Sequence, residues 1–363
     1  VDLVPYGIIK RSEQYTHPWV LDFDSKVTRG ESCYQAARRM RAGGYKPDII
    51  IAHHGWGESL FLRDVWPEAR MGIYCEFYHL TEYPHINFDP EFPSKDPESE
   101  ALRIRLKNIN NKMHFDIAQM GISPTRFQGD TFPQPFRDKI DVIHDGIDTT
   151  VLKRDPDVRF QLEDGRVLTR DDEVITFVNR NLEPYRGYHI FMRALPRLLR
   201  ERPNAQILIV GGDSVSYGAH PPKGQTWKQI YIDEVRDQIS DEDWARVHYL
   251  GRIPYSQFVP LLQVSRVHLY LTYPFVLSWS MFEAMACQAP VVDAMEHDKT
   301  GLLFDFFDPD ALVDETVRLL EDEGLRERLG VAAREYIVKN YDLSTVCLPR
   351  QLDWVARLAK APL

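Results

Sequence analysis

Glu283 is the residue whose setting says most about the chemistry of this chain. It lies in the sequence FEAMA, within a predicted short helix over 279–287 that follows an apolar strand at 267–271. A carboxylate near the start of a helix, at the carboxyl end of a parallel strand, lies where open α/β sheets bind ligands. Its two oxygens can accept hydrogen bonds from two neighbouring hydroxyl groups, as a ribose requires. The alternative is a structural glutamate that is favoured at a helix start by the helix dipole.

Two arginines flank a second strand-to-helix turn. A buried-strand pattern over 173–180 ends at Arg180, and Arg186 precedes a helix whose apolar residues recur at helical spacing, with Pro196 expected to interrupt it. Guanidinium groups suit phosphate oxygens, and the amino end of a helix adds positive potential. Solvated surface arginines are the alternative for either residue alone. Together with Glu283, the pair predicts a site for a ligand that carries both ribose and phosphate.

The half of the chain from about 173 to 345 resembles the donor-binding domain of the GT-B retaining glycosyltransferases of the large family 4 type. That family holds the donor diphosphate with the Arg and Lys of a Gly-Arg-Leu-x-x-x-Lys-Gly loop, which is similar to 179–187 here, with Arg186 in place of the Lys. It also has two glutamates separated by seven residues. Glu283 matches the second of them, whereas the first falls on Phe275, so half of that motif is absent.

The resemblance implies a role for each of these positions. Arg180 and Arg186 would stabilise the leaving diphosphate in place of a divalent metal, and Glu283 would hold the ribose. The family's base-binding turn is similar to 249–254, where backbone groups of Ile253 would contact the nucleobase. The catalytic residues implied in this half are Arg180, Arg186 and Glu283. The implied donor-binding residues are Arg180, Arg186, Gly251, Arg252, Ile253, Ser278 and Glu283.

Three residues of the amino-terminal half are candidates for contact with the sugar and the acceptor. His53 follows a predicted strand at 48–52. Retaining members of the family have a histidine at this strand end that contacts the transferred sugar, which implies a catalytic role for His53. The neighbouring His54 is a second candidate for this contact. The alternative is that the histidine at this strand end has a structural role only. Glu76, at the end of a predicted strand at 71–77, is expected to reach the acceptor hydroxyl, and the alternative is a carboxylate that only orients a backbone turn. His54 and Glu76 are the predicted acceptor-binding residues.

Composition narrows the range of partners. The net charge of −10 argues against a nucleic-acid-binding protein, whose binding face would be basic. We expect no cofactor and no metal, because His79, Glu82 and His85 lack the spacing of metal ligands. Scattered cysteines, with no signal peptide or bilayer-spanning segment, predict a cytoplasmic protein. Basic residues between 103 and 112 leave peripheral contact with the inner face of a membrane open, although a solvated helix face is favoured.

Strand and helix patterns alternate through the sequence, which predicts the α/β class with parallel sheets. The 363 residues are enough for two ordinary domains. The expected architecture is two Rossmann-like, doubly wound parallel-sheet domains that face a cleft, the GT-B arrangement that the resemblance implies. The irregular stretch at 80–97 is expected to be a lid or binding loop. The predicted domains are an acceptor domain at 1–145, a donor domain at 146–342, and a C-terminal helix at 343–363, capped by Ser344, that crosses back to the first domain.

Two features of the sequence depart from this architecture. The chain begins beyond the strand and glycine-rich turn that open the first GT-B domain, and Val292 runs into Asp293 without the small-residue loop expected beside the donor phosphates. We expect that Val292 and Asp293 are not covalent neighbours in the structure and that a loop is missing between them. The alternative is a true deletion, which would impair both sites.

The expected function is transfer of a hexosyl unit from a nucleoside-diphosphate sugar, with UDP favoured over GDP, to a glycan, lipid or small-molecule acceptor, as in polysaccharide biosynthesis. The resemblance implies retention of anomeric configuration and independence of metal. Two alternatives stay open: a GT-B sugar-nucleotide epimerase, and an inactive nucleotide-sugar-binding protein, which Phe275 favours. A nicotinamide-dependent dehydrogenase is disfavoured because no GxGxxG motif follows a predicted strand.

Overall fold

The computed structural model describes residues 2–8, 16–81, 87–292 and 297–363. The chain forms two units. The first comprises Val1–Asp145, Pro274–Val276 and Cys347–Leu363, and the second comprises Gly146–Tyr273 and Leu277–Val346. The polypeptide therefore passes from one unit to the other between Asp145 and Gly146, and its last helix belongs to the first unit.

Strands and helices alternate along the chain. The strands are β1 (Ile49–Ala52), β2 (Arg70–Tyr74), β3 (Met120–Ser123), β4 (Ile140–Val142), β5 (Phe160–Gln161), β6 (Val167–Leu168), β7 (Val174–Asn181), β8 (Gln206–Gly212), β9 (Val247–Gly251), β10 (Val267–Leu269), β11 (Val291–Val292) and β12 (Gly301–Leu302). The helices are α1 (Leu21–Ala42), α2 (Leu62–Val65), α3 (Pro97–Lys107), α4 (Ile109–Phe115), α5 (Arg126–Asp130), α6 (Tyr188–Glu201), α7 (Trp227–Val235), α8 (Asp241–Trp244), α9 (Tyr255–Val264), α10 (Trp279–Ala286), α11 (Pro309–Glu321), α12 (Glu323–Tyr341) and α13 (Leu348–Lys360).

The first unit is built on a parallel sheet. Its strands lie in the order β1-β2-β3-β4, with Ile50 of β1 opposite Met71 of β2. The side chains of Met71 and Ile73 have no exposed surface and form the core of this sheet with the helices that cover it. Helix α13 packs on the sheet through Trp354, whose ring nitrogen donates a hydrogen bond of 3.1 Å to the carbonyl oxygen of Gly121.

The second unit contains a larger parallel sheet, in the order β12-β11-β10-β7-β8-β9. Strand β7 is central, because Ile175 pairs with Val267 of β10 on one side and with Ile207 of β8 on the other. The residues of β7 from Val174 to Asn179 are all buried, which is the pattern of a parallel strand that is covered on both faces. A separate antiparallel hairpin is formed by β5 and β6.

Helix α6 follows β7 and covers the sheet. It starts after Gly187, whose φ of 68° lies in the left-handed region that favours glycine. A Cβ here would lie 2.3 Å from the Cβ of Leu271, so no other residue fits. Phe177 of β7 stacks on Phe191 of the helix, with ring centroids 4.4 Å apart. The helix continues through Pro196, so the predicted interruption is wrong; a proline removes a single N–H, and the packed apolar face holds the remaining turns together.

The predicted α/β class with parallel sheets is confirmed. The cap predicted for the last helix is wrong. Ser344 lies in a π-helical turn, Leu343–Cys347, and α13 begins only at Leu348. The turn is closed instead by Asp342, whose carboxylate accepts the backbone N–H of Thr345 at 2.8 Å.

Two predictions from the sequence concern residues that the structure does not describe. The junction of Val292 with Asp293, and the lid residues Glu82 and His85, lie outside the described residues. Within the described ranges, no helix combines the length and the apolar composition needed to cross a bilayer.

His268 is a buried polar group in the core of the second unit. Its Nδ1 lies 2.9 Å from Thr176 Oγ1, which lies 2.8 Å from Ser265 Oγ. The Ser265 hydroxyl donates to the carbonyl oxygen of Val267, so a protonated Nδ1 begins a chain of donors that ends at the backbone. Burial lowers the pKa of His268 to about 3, so its imidazole is neutral in the folded protein.

We predict that acid destabilises the protein through His268. The unfolded side chain binds a proton near pH 6.5, whereas the folded one does so only near pH 3. Stability is therefore present above pH 6.5 and is lost as the pH falls below it, by about 2 kcal/mol between pH 7 and 5. Urea unfolding of His268→Asn, whose amide can replace Nδ1 as a donor, should show a pH dependence smaller by that amount.

The matched control is His220→Asn at an exposed position, which should leave the pH dependence of the parent unchanged. If His268→Asn and the parent lose the same free energy of unfolding between pH 7 and 5, His268 is not the group responsible.

Candidate functional site

A cavity of about 1030 Å³ opens in the second unit at the carboxyl ends of its central strands. Among the predicted donor-binding residues, Arg180, Arg252, Ile253 and Glu283 line it. All strands of this sheet are parallel, so the loops that follow β7, β8 and β9 meet at one edge. Strand β7 is also the point where the strand order changes direction, and open α/β sheets bind ligands at such a point.

Glu283 reaches the cavity from the second turn of α10. The helix starts after Ser278, whose Oγ accepts the N–H of Ser280 at 3.4 Å and whose own N–H donates to the hydroxyl of Tyr270 at 2.9 Å. Burial raises the pKa of the Glu283 carboxyl group to about 7, although interaction with the hydroxyl of Tyr255 partly offsets the increase. Glu283 can therefore accept or donate hydrogen bonds near neutral pH.

Arg334 fixes the far end of the same helix. Its guanidinium group donates to the carbonyl oxygen of Ala286 at 2.5 Å and to that of Leu152, which also lines the cavity, at 2.8 Å. A third bond of 3.2 Å reaches the carbonyl oxygen of Thr149. The position of Glu283 is thus set by hydrogen bonds at both ends of α10.

Two guanidinium groups line the cavity. Arg180 is exposed at the end of β7, and its guanidinium group forms no hydrogen bond or ion pair with any residue that the structure describes. Arg252 follows β9, and its Nη2 donates to Oδ1 of Asn181 at 3.0 Å. Because a guanidinium group carries five donors in a fixed plane, both residues keep donors available for an anionic ligand.

Three of the predicted donor-binding residues do not line this cavity. Gly251 ends β9 beside Arg252, and Ser278 caps α10. Arg186 is buried, with 6% of its surface exposed. Its Nη1 donates to Oγ1 of Thr272 at 2.8 Å, and its guanidinium carbon lies 5.0 Å from the centre of the Tyr217 ring.

Several residues that line the cavity were not predicted from the sequence. Asp148 belongs to the segment that enters the second unit, and Tyr255, Phe258 and Trp279 add an aromatic surface. Their signal was weak, because isolated aromatic residues in helices are usually part of a core. Asn179 directly precedes Arg180 at the end of β7, and its place in the arginine motif is the one signal that could have identified it.

His53 and Glu76 lie together in the first unit. His53 follows β1 and its Nε2 is 3.5 Å from an oxygen of the Glu76 carboxylate. The imidazole stacks on the ring of Tyr74, with centroids 5.3 Å apart, and the Tyr74 hydroxyl donates to Asp145 at 2.9 Å.

His54, which the sequence predicts to bind the acceptor, is buried in the first unit. The residue is only 2% exposed, and its ring packs against those of His114 and Phe132. Burial, with a smaller contribution from His114, lowers its pKa to about 3, so the imidazole stays neutral. Its carbonyl oxygen accepts a hydrogen bond of 3.1 Å from Asn110, which fixes the turn after β1.

Phe275 stands where the resemblance expects a glutamate. In the first unit its ring packs against Phe77, with centroids 4.7 Å apart, and stacks on His79 at 6.4 Å. This position therefore offers an apolar surface instead of a charge.

Two family models match the chain. Glycosyl transferase family 4 group matches residues 1–152, and Glycosyl transferases group 1 matches residues 160–336. The parallel sheets of the two units, and the likeness to solved structures, show the GT-B fold. The chain belongs to the group 1 glycosyltransferases.

Relatives agree with this assignment. The D-inositol 3-phosphate glycosyltransferase of Corynebacterium efficiens is 26% identical over 317 residues, which are 82% of this chain and 68% of that protein. Sucrose-phosphate synthase from Thermosynechococcus elongatus has a TM-score of 0.69 at 18% identity, covering 91% of this chain and 79% of that one. Anabaena HepE in complex with UDP has a TM-score of 0.62 at 17% identity, covering 91% and 82%. The likeness to these two structures shows the fold alone.

We predict that Glu283→Gln gains stability relative to the parent as the pH rises. The folded pKa of about 7 lies above the unfolded value, which is about 4.3. The contribution of Glu283 is therefore fully present below pH 4.3 and is lost as the pH rises to 7. Because glutamine stays neutral, denaturant unfolding should favour the variant more at pH 8 than at pH 5.

Glu234→Gln is the control, since Glu234 forms an ion pair with Arg193 and does not line the cavity. A stability difference between Glu283→Gln and the parent that is the same at pH 5 and pH 8 would show that the carboxyl group is not shifted by burial.

Proposed function

We propose that this protein transfers a hexosyl unit from a nucleoside-diphosphate sugar, with UDP preferred to GDP, to a hydroxyl group of a glycan, lipid-linked or small-molecule acceptor. Transfer retains the anomeric configuration and needs no metal ion. The observation that carries the proposal is that Arg180, Arg252 and Glu283 line one cavity in the second unit. These groups match the phosphate and ribose of a nucleotide.

The donor is held through its nucleotide. Glu283 accepts hydrogen bonds from the ribose hydroxyls, and the backbone of Ile253, which follows Gly251 and Arg252, contacts the base. Arg180 and Arg252 contact the diphosphate, because both line the cavity. Arg186 supports this group from outside the cavity lining.

Breaking the bond between sugar and diphosphate leaves negative charge on the diphosphate oxygens. Guanidinium groups that are already in place stabilise that charge as it develops, so Arg180 and Arg252 act where other glycosyltransferases use a divalent metal. Catalysis of this kind depends on donors that are oriented before the reaction, as the bond from Arg252 to Asn181 provides.

The first unit supplies residues for the sugar and the acceptor. His53 contacts the transferred sugar, as the family resemblance implies, and its neighbour Glu76 accepts a hydrogen bond from the acceptor hydroxyl. The inositol phosphate named for the Corynebacterium efficiens relative supports a polyhydroxylated small molecule as one acceptor class. UDP in the HepE complex supports uracil as the base. Contact of the basic residues between 103 and 112 with a membrane stays a prediction.

A second candidate is an inactive nucleotide-sugar-binding protein. Phe275 favours it, because a phenylalanine cannot make the polar contacts of the glutamate that the family motif has there. A third candidate is a sugar-nucleotide epimerase of the same fold. It would bind the nucleotide sugar with the same residues and would need no acceptor.

We predict that UDP and UDP-sugars raise the melting temperature more than GDP, ADP and their sugars, because a ligand that binds only the folded state stabilises it. With a UDP-sugar and a panel of glycans, inositol phosphates and lipid-linked saccharides, UDP release should depend on the acceptor and persist in EDTA. Proton NMR should show a glycoside with the anomeric configuration of the donor.

Other results of this experiment would identify one of the alternative functions. Epimerised sugar or UDP released without an acceptor identifies an epimerase, and binding without turnover identifies the inactive protein. Activity that disappears in EDTA and returns with manganese would show that the arginines do not replace a metal.

We predict that Arg180→Ala weakens binding of UDP by more than about 1.5 kcal/mol, the cost of losing a charge-assisted hydrogen bond. Binding of uridine, which has no phosphate, should hardly change. Isothermal titration calorimetry of both ligands measures the difference. The matched control is Arg193→Ala, because Arg193 pairs with Glu234 and does not line the cavity. Equal losses for uridine and UDP would assign Arg180 to the fold instead of the phosphate.

A further inference from the structure

Glu183 is a fully buried carboxylate beside the arginine loop of the second unit. One of its oxygens accepts the backbone N–H of Ser216 at 3.0 Å. The other accepts the N–H groups of Tyr217 and Gly218, at 3.3 and 3.1 Å. Hydrogen bonds to an ionised acceptor are stronger than those between neutral groups, so this carboxylate fixes residues 216–218, here called the 216–218 segment.

The 216–218 segment is linked to the cavity through Asn181. The Asn181 amide nitrogen donates to Ser216 Oγ at 2.7 Å, and the Asn181 oxygen accepts from Nη2 of Arg252 at 3.0 Å. Gly212 makes room for this contact, because a Cβ there would lie 2.7 Å from Oδ1 of Asn181 and 2.8 Å from Nε of Arg252. The guanidinium group that lines the cavity is therefore oriented by a chain of bonds that begins at Glu183.

The same segment carries the second arginine of the loop. The ring of Tyr217 lies 5.0 Å from the guanidinium carbon of Arg186, a cation–π distance. Arg186 also donates to Thr272 at 2.8 Å, so its plane is held from two directions. Glu183 thus accepts hydrogen bonds from the backbone of both Ser216 and Tyr217. Ser216 orients Arg252 through Asn181, and Tyr217 orients Arg186 through its ring.

We propose that Glu183 is a positioning residue for the donor diphosphate. By fixing the 216–218 segment, it holds Arg252 in the orientation that binds phosphate and Arg186 in its supporting position outside the cavity lining, so that less side-chain freedom is lost when the donor binds. The inference rests on the proposed function of the cavity. The charge of Glu183 is essential to it, because glutamine would offer one accepting oxygen and would turn an NH₂ group towards N–H donors.

The test compares Glu183→Gln with the parent by two measurements. Hydrogen exchange of the 216–218 amides, followed by mass spectrometry, should be faster in the variant. By calorimetry UDP should bind about tenfold more weakly, whereas uridine should bind within about twofold of the parent. Glu234→Gln, which removes an exposed charge, is the matched control and should change neither measurement.

Tyr217→Leu is the second variant, and it decides the matter if Glu183→Gln does not fold. It keeps the three backbone bonds to Glu183 and removes the ring beneath Arg186, so it should weaken UDP binding and leave uridine binding unchanged.

Three results would overturn the inference: faster exchange in Glu183→Gln with unchanged UDP affinity, equal losses for uridine and UDP, or full UDP affinity in Tyr217→Leu. A parent protein that binds neither UDP nor GDP would refute the proposed function itself, which separates that failure from failure of the Glu183 inference.

Discussion

The parallel pairing of β7 on both of its sides is the interaction on which the second unit depends. Residues Val174 to Asn179 are buried, so the strand is held by backbone hydrogen bonds to β8 and β10 and by apolar packing on both faces. Arg180 is the first exposed residue of the strand. Because every neighbouring strand runs in the same direction, the loop that contributes Arg252 and the helix that carries Glu283 both begin at the same edge. The sheet therefore determines which side chains can meet one ligand.

The cavity is lined by both acidic and basic side chains. Burial raises the pKa of Glu283, and interaction with the hydroxyl of Tyr255 partly offsets the increase. Among the residues that the structure describes, neither Arg180 nor Arg252 forms an ion pair with Glu283, although all three line the cavity. The cavity has a cationic part and a separate part for hydroxyl groups, which suits a ligand that joins phosphate to ribose.

The sequence predicted those features that depend on local pattern. Apolar runs marked the strands, and Arg180 and Glu283 were identified because each lies at a strand end or in the helix that follows one. The sequence could not predict that Arg186 is buried, because its guanidinium group lies against the ring of Tyr217, which comes from a loop after β8. It also missed the burial of His54, which depends on contacts with His114 and Phe132 from other elements. Contacts between distant segments leave no periodic signal in a single sequence.

Phe275 bears on whether the protein is an enzyme. A glutamate that is lost by decay would leave a poorly packed position, whereas Phe275 packs on Phe77, which is itself 7% exposed, and on His79. Such aromatic contacts contribute about 0.5–1.5 kcal/mol each beyond the apolar area that they bury. A carboxylate at this position would lose its hydration against Phe77, which is costly without a compensating partner. The surroundings of Phe275 therefore fit an aromatic ring, so Phe275 favours the inactive protein only through the polar contacts of the absent glutamate and not through any loss of packing.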